Sequence, residues 1–432
     1  LEGIVLLFVC LIPLFYGEND AHYFLVASAI SFAFSGIALL IGRNHSPSIG
    51  KREGSVIVSF TWTIFSLIGL LPFWMSGSIP HFTDAFFETI SGFTTTGASI
   101  LNNIEELSHG MLFWRSLTHW MGGLGIIVIS LAILPVFSTS GTQLFAAETT
   151  GPTKDKIHPK INETAKRLFL IYVILTGAET ILLKLGGMNW FDAVNHSFAT
   201  IATGGFSTKQ ASIAYWNSPY IQYVISTFMI LSGINFSLYY FGFKNKFGKI
   251  KENEELRYYL ITIFVFAFII ALSLIDFSKT LHFSIIEQAW RDSLFTVSSL
   301  MTTTGFCTAD YMTWKPLTWV ILLLVMLTGA SAGSTSGGIK MIRVVISAKA
   351  CYYEFKRLIH PNAVIPVQYN GHLVREDILT RVLAFTLLYL VVTAFGILTL
   401  AMSGMGFLES VGGMITCLGG VGPGLGLVGP AG

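Results

Sequence analysis

Long, almost unbroken apolar stretches alternate along this chain with short polar connections, and several of the stretches give way to runs of glycine and threonine. About 20 apolar residues in a helix cross a ~30 Å hydrocarbon layer. Long helices are therefore predicted over residues 55–76, 110–137, 165–186, 217–243, 257–276, 316–347 and 378–402. The opening "LEGIVLLFVCLIPLFY" has neither an initiator Met nor a basic leader. It reads as a clipped first helix rather than a signal peptide. Together with the apolar stretch before Arg43 it forms an N-terminal helix pair over residues 1–42.

Composition narrows the class further. Of 432 residues, 53% are hydrophobic and 12% charged, about half the charged share of a soluble domain. The fold class is accordingly all-α and polytopic in a lipid bilayer. Cys10, Cys307, Cys351 and Cys417 stand singly, without disulfide or zinc spacing. The net charge of +2 says little, but its distribution says more. Basic residues gather in four places: Arg43, Lys51 and Arg52; Lys154, Lys156, Lys160, Lys166 and Arg167; Lys244, Lys246, Lys249, Lys251 and Arg257; and Lys340 through Arg381. The positive-inside rule puts these loops in the cytoplasm, with "GEND" at 17–20 and "NNIEELSHG" at 102–110 outside.

The glycine–threonine runs repeat. "ISGFTTTGASI" (90–100), "IATGGFST" (201–208), "LMTTTGFCTADY" (300–311) and "CLGGVGPGLG" (417–426) align on Gly97, Gly205, Gly305 and Gly422. Thirteen residues before each glycine stands an acid: Asp84, Asp192, Asp292 and Glu409. Each unit reads as long helix, short segment, loop and second long helix. The units are repeat 1 over 43–153, repeat 2 over 154–243, repeat 3 over 244–360 and repeat 4 over 361–432, the last ending at "LGLVGPAG" without its closing helix. The acids suit the positive start of a helix and are expected as caps. About ten helical residues then run ~15 Å, half a bilayer, before the loop returns to the same face.

Irregular backbone at that depth is tolerated where protein buries it or where it lines a watery cavity. The four loops are therefore expected to meet around one axis with pseudo-fourfold symmetry. The residues placed there are Thr95, Thr96 and Gly97; Thr203, Gly204 and Gly205; Thr303, Thr304 and Gly305; and Gly420, Val421 and Gly422. Carbonyl and hydroxyl oxygens in such a ring replace the water shell of a monovalent cation. None of these twelve residues is the carboxylate expected of a divalent-selective pore. Any single "TTTG" is equally a small-residue packing face; four copies at a fixed offset from an acid favour a filter.

These loops and their spacing resemble the Trk/Ktr/HKT superfamily of potassium transporters, and within it the TrkH-like subunits, over essentially the whole chain. The motifs that carry the resemblance are "FTTTGAS", "ATGGFST", "TTTGF" and "GGVGPGLG", in that order. It implies K+ as the transported ion at the filter residues, since glycine in all four filters goes with K+ preference. It further implies a multi-pass protein of the bacterial cytoplasmic membrane, working as a homodimer on a TrkA-like ring of cytosolic nucleotide-binding regulatory subunits. Neither a nucleic-acid partner nor an organic cofactor is implied.

"MLTGASAGSTSGGIKMIRV", 326–344, interrupts the third downstream helix with four glycines. At ~1 kcal/mol per glycine relative to alanine, a continuous helix is unfavourable there. The segment includes Gly329, Ser331, Gly333, Ser334, Gly337, Gly338 and Lys340. It reads either as a kink for helix packing or as a loop obstructing the ion path, and the matching segment of the resembled family is an intramembrane gate. A phosphate-binding reading fails, because Ile339 follows Gly338 and no strand precedes it. Lys340 and Arg343 either repel cations at the cytoplasmic mouth, bind lipid headgroups or snorkel. His119 marks close packing, and His196 is an intramembrane histidine of the kind that can relay protons. Enzymatic motifs are lacking. Coupled transport of K+ with H+ or Na+ is the alternative mechanism.

Overall fold

A computed structural model describes residues 1–43, 51–133, 161–278 and 282–430. Among them the chain is helical almost throughout, with one two-stranded hairpin pairing Gln368–Tyr369 with His372–Leu373. Among the described residues, four helices are long and apolar enough to cross a membrane: Ala21–Gly42, Lys166–Leu185, Glu254–Leu274 and Glu376–Met402. Their outward residues stay bare. Leu387, Leu388, Phe395 and Leu398 on Glu376–Met402 are exposed, an apolar surface that a soluble protein would not carry and that lipid covers.

The N-terminal segment divides at Cys10 into Glu2–Val9 and Leu11–Tyr16, and it packs on Ala21–Gly42 where Ser28 donates to the Gly3 carbonyl at 2.8 Å. Gly3 permits this closeness, since a methyl group there would lie 3.2 Å from Ser31. Glu18 then ties the pair to the first repeat: its carboxylate accepts the backbone N–H of His109 at 2.9 Å and of Gly110 at 3.2 Å. An acid at the start of helix His109–Ile133 meets the unpaired N–H groups and the positive end of the dipole.

Long helices precede four shorter ones: Phe82–Phe93, Trp190–Ile201, Phe283–Met301 and Phe407–Gly419. The first, second and fourth have 12, 12 and 13 residues, ~18 Å each and too short to span. The third has 19 residues because "SIIEQAWR" upstream of Asp292 contains no breaker. Its counterparts are preceded by Pro80-His81, Asn189 and Gly406.

Among the described residues, two downstream helices are broken. The third stops at Thr328 and resumes at Met341, as its glycines predict. The second, expected to be continuous over 217–243, is in fact two helices, Pro219–Ser232 and Phe236–Phe243, bent by 94°. Asn235 starts the second piece by accepting the Ser237 N–H at 2.9 Å, and the gap between them interlocks with the other break. Ser331 N donates to Gly233 O at 3.0 Å, and Phe236 N to Gly333 O at 3.1 Å. The first downstream helix is described as far as Ile133; Lys154, Lys156 and Lys160 of the second basic loop lie outside the described residues.

Candidate functional site: a ring of four loops

Each of the four shorter helices ends in the same way. Thr95, Thr203, Thr303 and Gly420 take the left-handed conformation, with φ of 55°, 56°, 56° and 68°. The next residue's N–H reaches back five positions: Thr96 to Ser91, Gly204 to Ala199, Thr304 to Ser299 and Val421 to Thr416, at 2.8–3.0 Å. This closure satisfies carbonyls that a helix end leaves orphaned. Three of the four left-handed residues are β-branched, a conformation that costs of order 1–3 kcal/mol and persists where surroundings fix it.

Two residues further on, Gly97, Gly205, Gly305 and Gly422 also have positive φ, from 76° to 95°. Here glycine answers a second demand. A methyl group on Gly97 would stand 1.9 Å from the Gly204 carbonyl oxygen; on Gly205, 1.9 Å from that of Thr304; on Gly305, 2.1 Å from that of Val421; and on Gly422, 2.9 Å from that of Thr96. First loop touches second, second third, third fourth, and fourth first. The cycle closes, and all twelve residues predicted for the ring belong to the loops that form it.

The returning strands are pinned from behind. Ser91 Oγ donates to Ala98 O at 2.6 Å, Ser299 Oγ to Phe306 O at 2.7 Å and Thr416 Oγ1 to Pro423 O at 3.1 Å. In the first loop Glu88 adds a charged anchor, accepting from Ser99 Oγ at 3.0 Å and Ile100 N at 3.1 Å. Arg115 completes it, donating to Glu88 at 2.6 Å and to the Ser207 carbonyl of the second loop at 2.9 Å, with its guanidinium 3.8 Å from the Phe206 ring centre. The sequence reading overlooked this buried pair.

His196, placed in its helix as Glu88 is in the first, holds the second return strand. Its Nδ1 lies 2.7 Å from Asp192 O, which makes Nδ1 the protonated nitrogen, so Nε2 accepts from Ser207 Oγ at 2.9 Å. His119 is wholly buried, stacked on Phe206 with ring centres 4.0 Å apart. It fills the space beside Gly204, where a methyl group would come within 2.3 Å of its Nδ1.

The acids predicted as caps occupy a different position. Asp84, Asp192 and Glu409 sit third in their helices rather than before them. Each lies in the first turn, where the dipole favours an acid, and of these three helices a side-chain cap is supplied by a neighbour at the second alone. For Asp192 that neighbour is Asn189, whose Oδ1 accepts the Asp192 N–H at 2.7 Å, while the Asp192 carboxylate accepts from Thr208 Oγ1 at 2.6 Å. Asp292 departs altogether: it is the tenth residue of its longer helix, so the cap expected there is not formed.

The broken segment 329–340 lies against the ends of these helices. Gly337 N donates to Thr303 Oγ1 at 2.7 Å, Gly338 N to Gly419 O at 3.0 Å and Thr335 Oγ1 to Ile201 O at 3.1 Å. Thr203 Oγ1 donates to Thr335 Oγ1 at 3.2 Å. Repeats two, three and four thus all contact it. Gly329, Gly333, Gly338 and Lys340 have positive φ, and Gly329 and Gly337 approach so closely that a methyl on Gly329 would lie 2.4 Å from Gly337 O. Ser334 Oγ donates to Ser331 O at 2.6 Å, and Lys340 Nζ to Ser336 O.

Comparison with known proteins agrees with this architecture. The family model for TrkH, a cation transport protein, matches residues 21–430. The Trk system potassium uptake protein TrkH of Escherichia coli (strain K12) is 38% identical over 422 residues, covering 97% of this chain and 86% of that one. The Trk system potassium uptake protein TrkG of the same strain is 34% identical, covering 96% and 85%. The crystal structure of the potassium transporter TrkH from Vibrio parahaemolyticus superposes with a TM-score of 0.87 at 33% identity, over 99% of this chain and 88% of that one.

Proposed function

This chain belongs to the TrkH family of cation transport proteins, and from that premise we propose that it carries potassium inward across the cytoplasmic membrane through the ring of four loops. The observation that carries the reading is the closed cycle of glycine-to-carbonyl approaches from Gly97 through Gly205 and Gly305 to Gly422. Backbone oxygens gathered in such a ring stand in for the ion's hydration shell. The C-terminal ends of four helices converge with them and add partial negative charge that favours a cation. Thr95, Thr96, Thr203, Thr303, Thr304, Gly204, Gly420 and Val421 complete the filter around the four glycines.

In this reading the segment 329–340 is the gate, and Gly329, Ser331, Gly333, Ser334, Gly337, Gly338 and Lys340 shape it. Its hydrogen bonds to Thr303, Gly419 and Ile201 hold it across the inner side of the ring. Regulation comes from the cytoplasm, through a homodimer seated on a TrkA-like ring of nucleotide-binding subunits. The relatives' names place those proteins in a Trk system, which supports a partner of that kind.

Rb+ uptake into liposomes, driven by an imposed voltage without any H+ or Na+ gradient, tests the reading. Uptake down the Rb+ gradient is expected, together with Rb+ anomalous density among the four glycines. Strict dependence on a second ion gradient would replace it with coupled transport.

A further inference from the structure

We infer that Glu255 is the positioning residue of the 329–340 segment, holding both of its ends on one carboxylate oxygen. The inference rests on reading that segment as the gate, but its geometry stands independently. Glu255 Oε1 accepts the N–H of Ala332 at 2.6 Å and the N–H of Ile342 at 3.2 Å. The first donor lies near the start of the break, and the second is in the opening turn of helix Met341–Ile359. The carboxylate is buried, 3% exposed.

A helix start needs an acceptor for its first N–H groups. The residue at the cap of Met341–Ile359 is Lys340, which has no acceptor in its side chain and sits at φ 78°. Glu255 supplies the missing acceptor from another helix, and its negative charge also suits the positive end of the dipole. The same oxygen then reaches Ala332, ten residues earlier, so segment and helix are fixed to one point. Opening the segment requires at least one of these bonds to break.

That point is itself held firmly. Asn253 caps the helix bearing Glu255, accepting the Leu256 N–H at 2.8 Å. Glu254 N donates to Asn370 Oδ1 at 2.8 Å, at the tip of the cytoplasmic hairpin, and the Glu254 carboxylate pairs with Lys349, which also donates to Gln368 O at 3.0 Å. A carboxylate fixed by its neighbours positions its partners better than one on a free chain. The hairpin is thereby one residue removed from the clamp.

Glu255→Ala removes the acceptor. In proteoliposomes it is expected to raise resting Rb+ flux about tenfold, the population change that follows loss of a hydrogen bond to a charged acceptor. The K+ over Na+ ratio should stay unchanged. Hydrogen exchange should show lost protection over 330–342 and retained protection over 95–98. Glu255→Gln keeps an acceptor oxygen but loses the charge, so its flux is expected between those of the parent and the alanine variant; a flux equal to that of the alanine variant would overturn the account, because charge toward Lys340 and Arg343 would then explain it. Glu255→Asp shortens the reach by one methylene and should raise flux less than alanine; it carries the test where the alanine variant is not recovered monodisperse. Deleting Ser334, Thr335 and Ser336 separates the two ideas. If that deletion raises flux while Glu255→Ala and Glu255→Asp leave flux and exchange unchanged, the clamp is refuted and the gate stands. If the deletion leaves flux unchanged, the gate reading falls, and the exchange pattern alone decides whether Glu255 positions the segment.

Discussion

Arg115 donates to Glu88 at 2.6 Å between two side chains that are 2% and 0% exposed, and through that pair the first loop of the ring is bolted to the second. Arg115 reaches onward to Ser207 O, while Glu88 holds Ser99 and Ile100. Taking both charges out of water is costly, and the pair is supported by further hydrogen bonds from Arg115 Nη1 to Ser207 O and from Ser99 and Ile100 to the two Glu88 oxygens. Such an anchor fixes the spacing of neighbouring loops without placing a charge in the ring.

Breaking the pair from one side leaves the other charge buried alone. Arg115→Met is expected to destabilise the protein by about 3–5 kcal/mol, read as a lower thermal midpoint in detergent. Combining it with Glu88→Gln should recover part of the loss, since no uncompensated carboxylate remains. A double variant less stable than the single one would show that the pair is not the anchor.

The glycines of the ring should differ in tolerance according to the space beside them. Gly97→Ser places a side chain where the Gly204 carbonyl oxygen is 1.9 Å from a would-be Cβ, at φ 76°. The loops must then part, and K+ over Na+ discrimination should fall about tenfold, equivalent to about 1.4 kcal/mol. Gly422→Ala, with 2.9 Å available to Thr96 O, should lose less. Relative Na+ and Rb+ uptake by the two variants checks the order; equal losses would argue that conformational strain at positive φ decides, rather than the approach.

The fourfold pattern was legible because its glycines serve backbone geometry directly, leaving a mark at a constant distance from an acid. The break at 329–340 was legible for a similar reason, with Gly329, Gly333, Gly337 and Gly338 crowded into an apolar helix. The break at Gly233–Asn235 was not, because one glycine inside "LSGINF" is tolerated by many helices and its partner segment lies about a hundred residues away in the chain. Glu88 and Arg115 are 27 positions apart and look like ordinary charges near a membrane surface until the fold buries them together. Asp292 misled for a local reason: the acid is at the repeat offset, but nothing upstream of it stops the helix.

Thr303 links the ring of loops and the broken segment in one side chain. Its backbone belongs to the ring, and its hydroxyl accepts the Gly337 N–H at 2.7 Å. Thr303→Val preserves shape and removes the acceptor, leaving a donor unsatisfied at a cost of about 1–3 kcal/mol. Resting Rb+ flux should rise, while Thr303→Ser should behave as the parent. An unaltered flux in the valine variant would mean that this bond does not hold the segment closed.

Gly337 offers the complementary experiment, because it perturbs the segment without replacing any residue of the ring. A methyl group there would stand 1.9 Å from Gly419 O, the carbonyl that also accepts the Gly338 N–H at 3.0 Å. Gly337→Ala therefore has to push the segment off the end of the fourth short helix and break that hydrogen bond. The backbone at Gly337 itself is not in the left-handed region, so the close approach, rather than φ, sets the penalty. The expected result is raised resting flux with K+ over Na+ discrimination intact, since the carbonyls of residues 96, 204, 304 and 421 are undisturbed. Flux and selectivity measured on one preparation decide the matter: a variant that loses discrimination would show that the segment and the ring are one mechanical unit, and a variant with lowered flux would place the segment in the conducting path rather than across it.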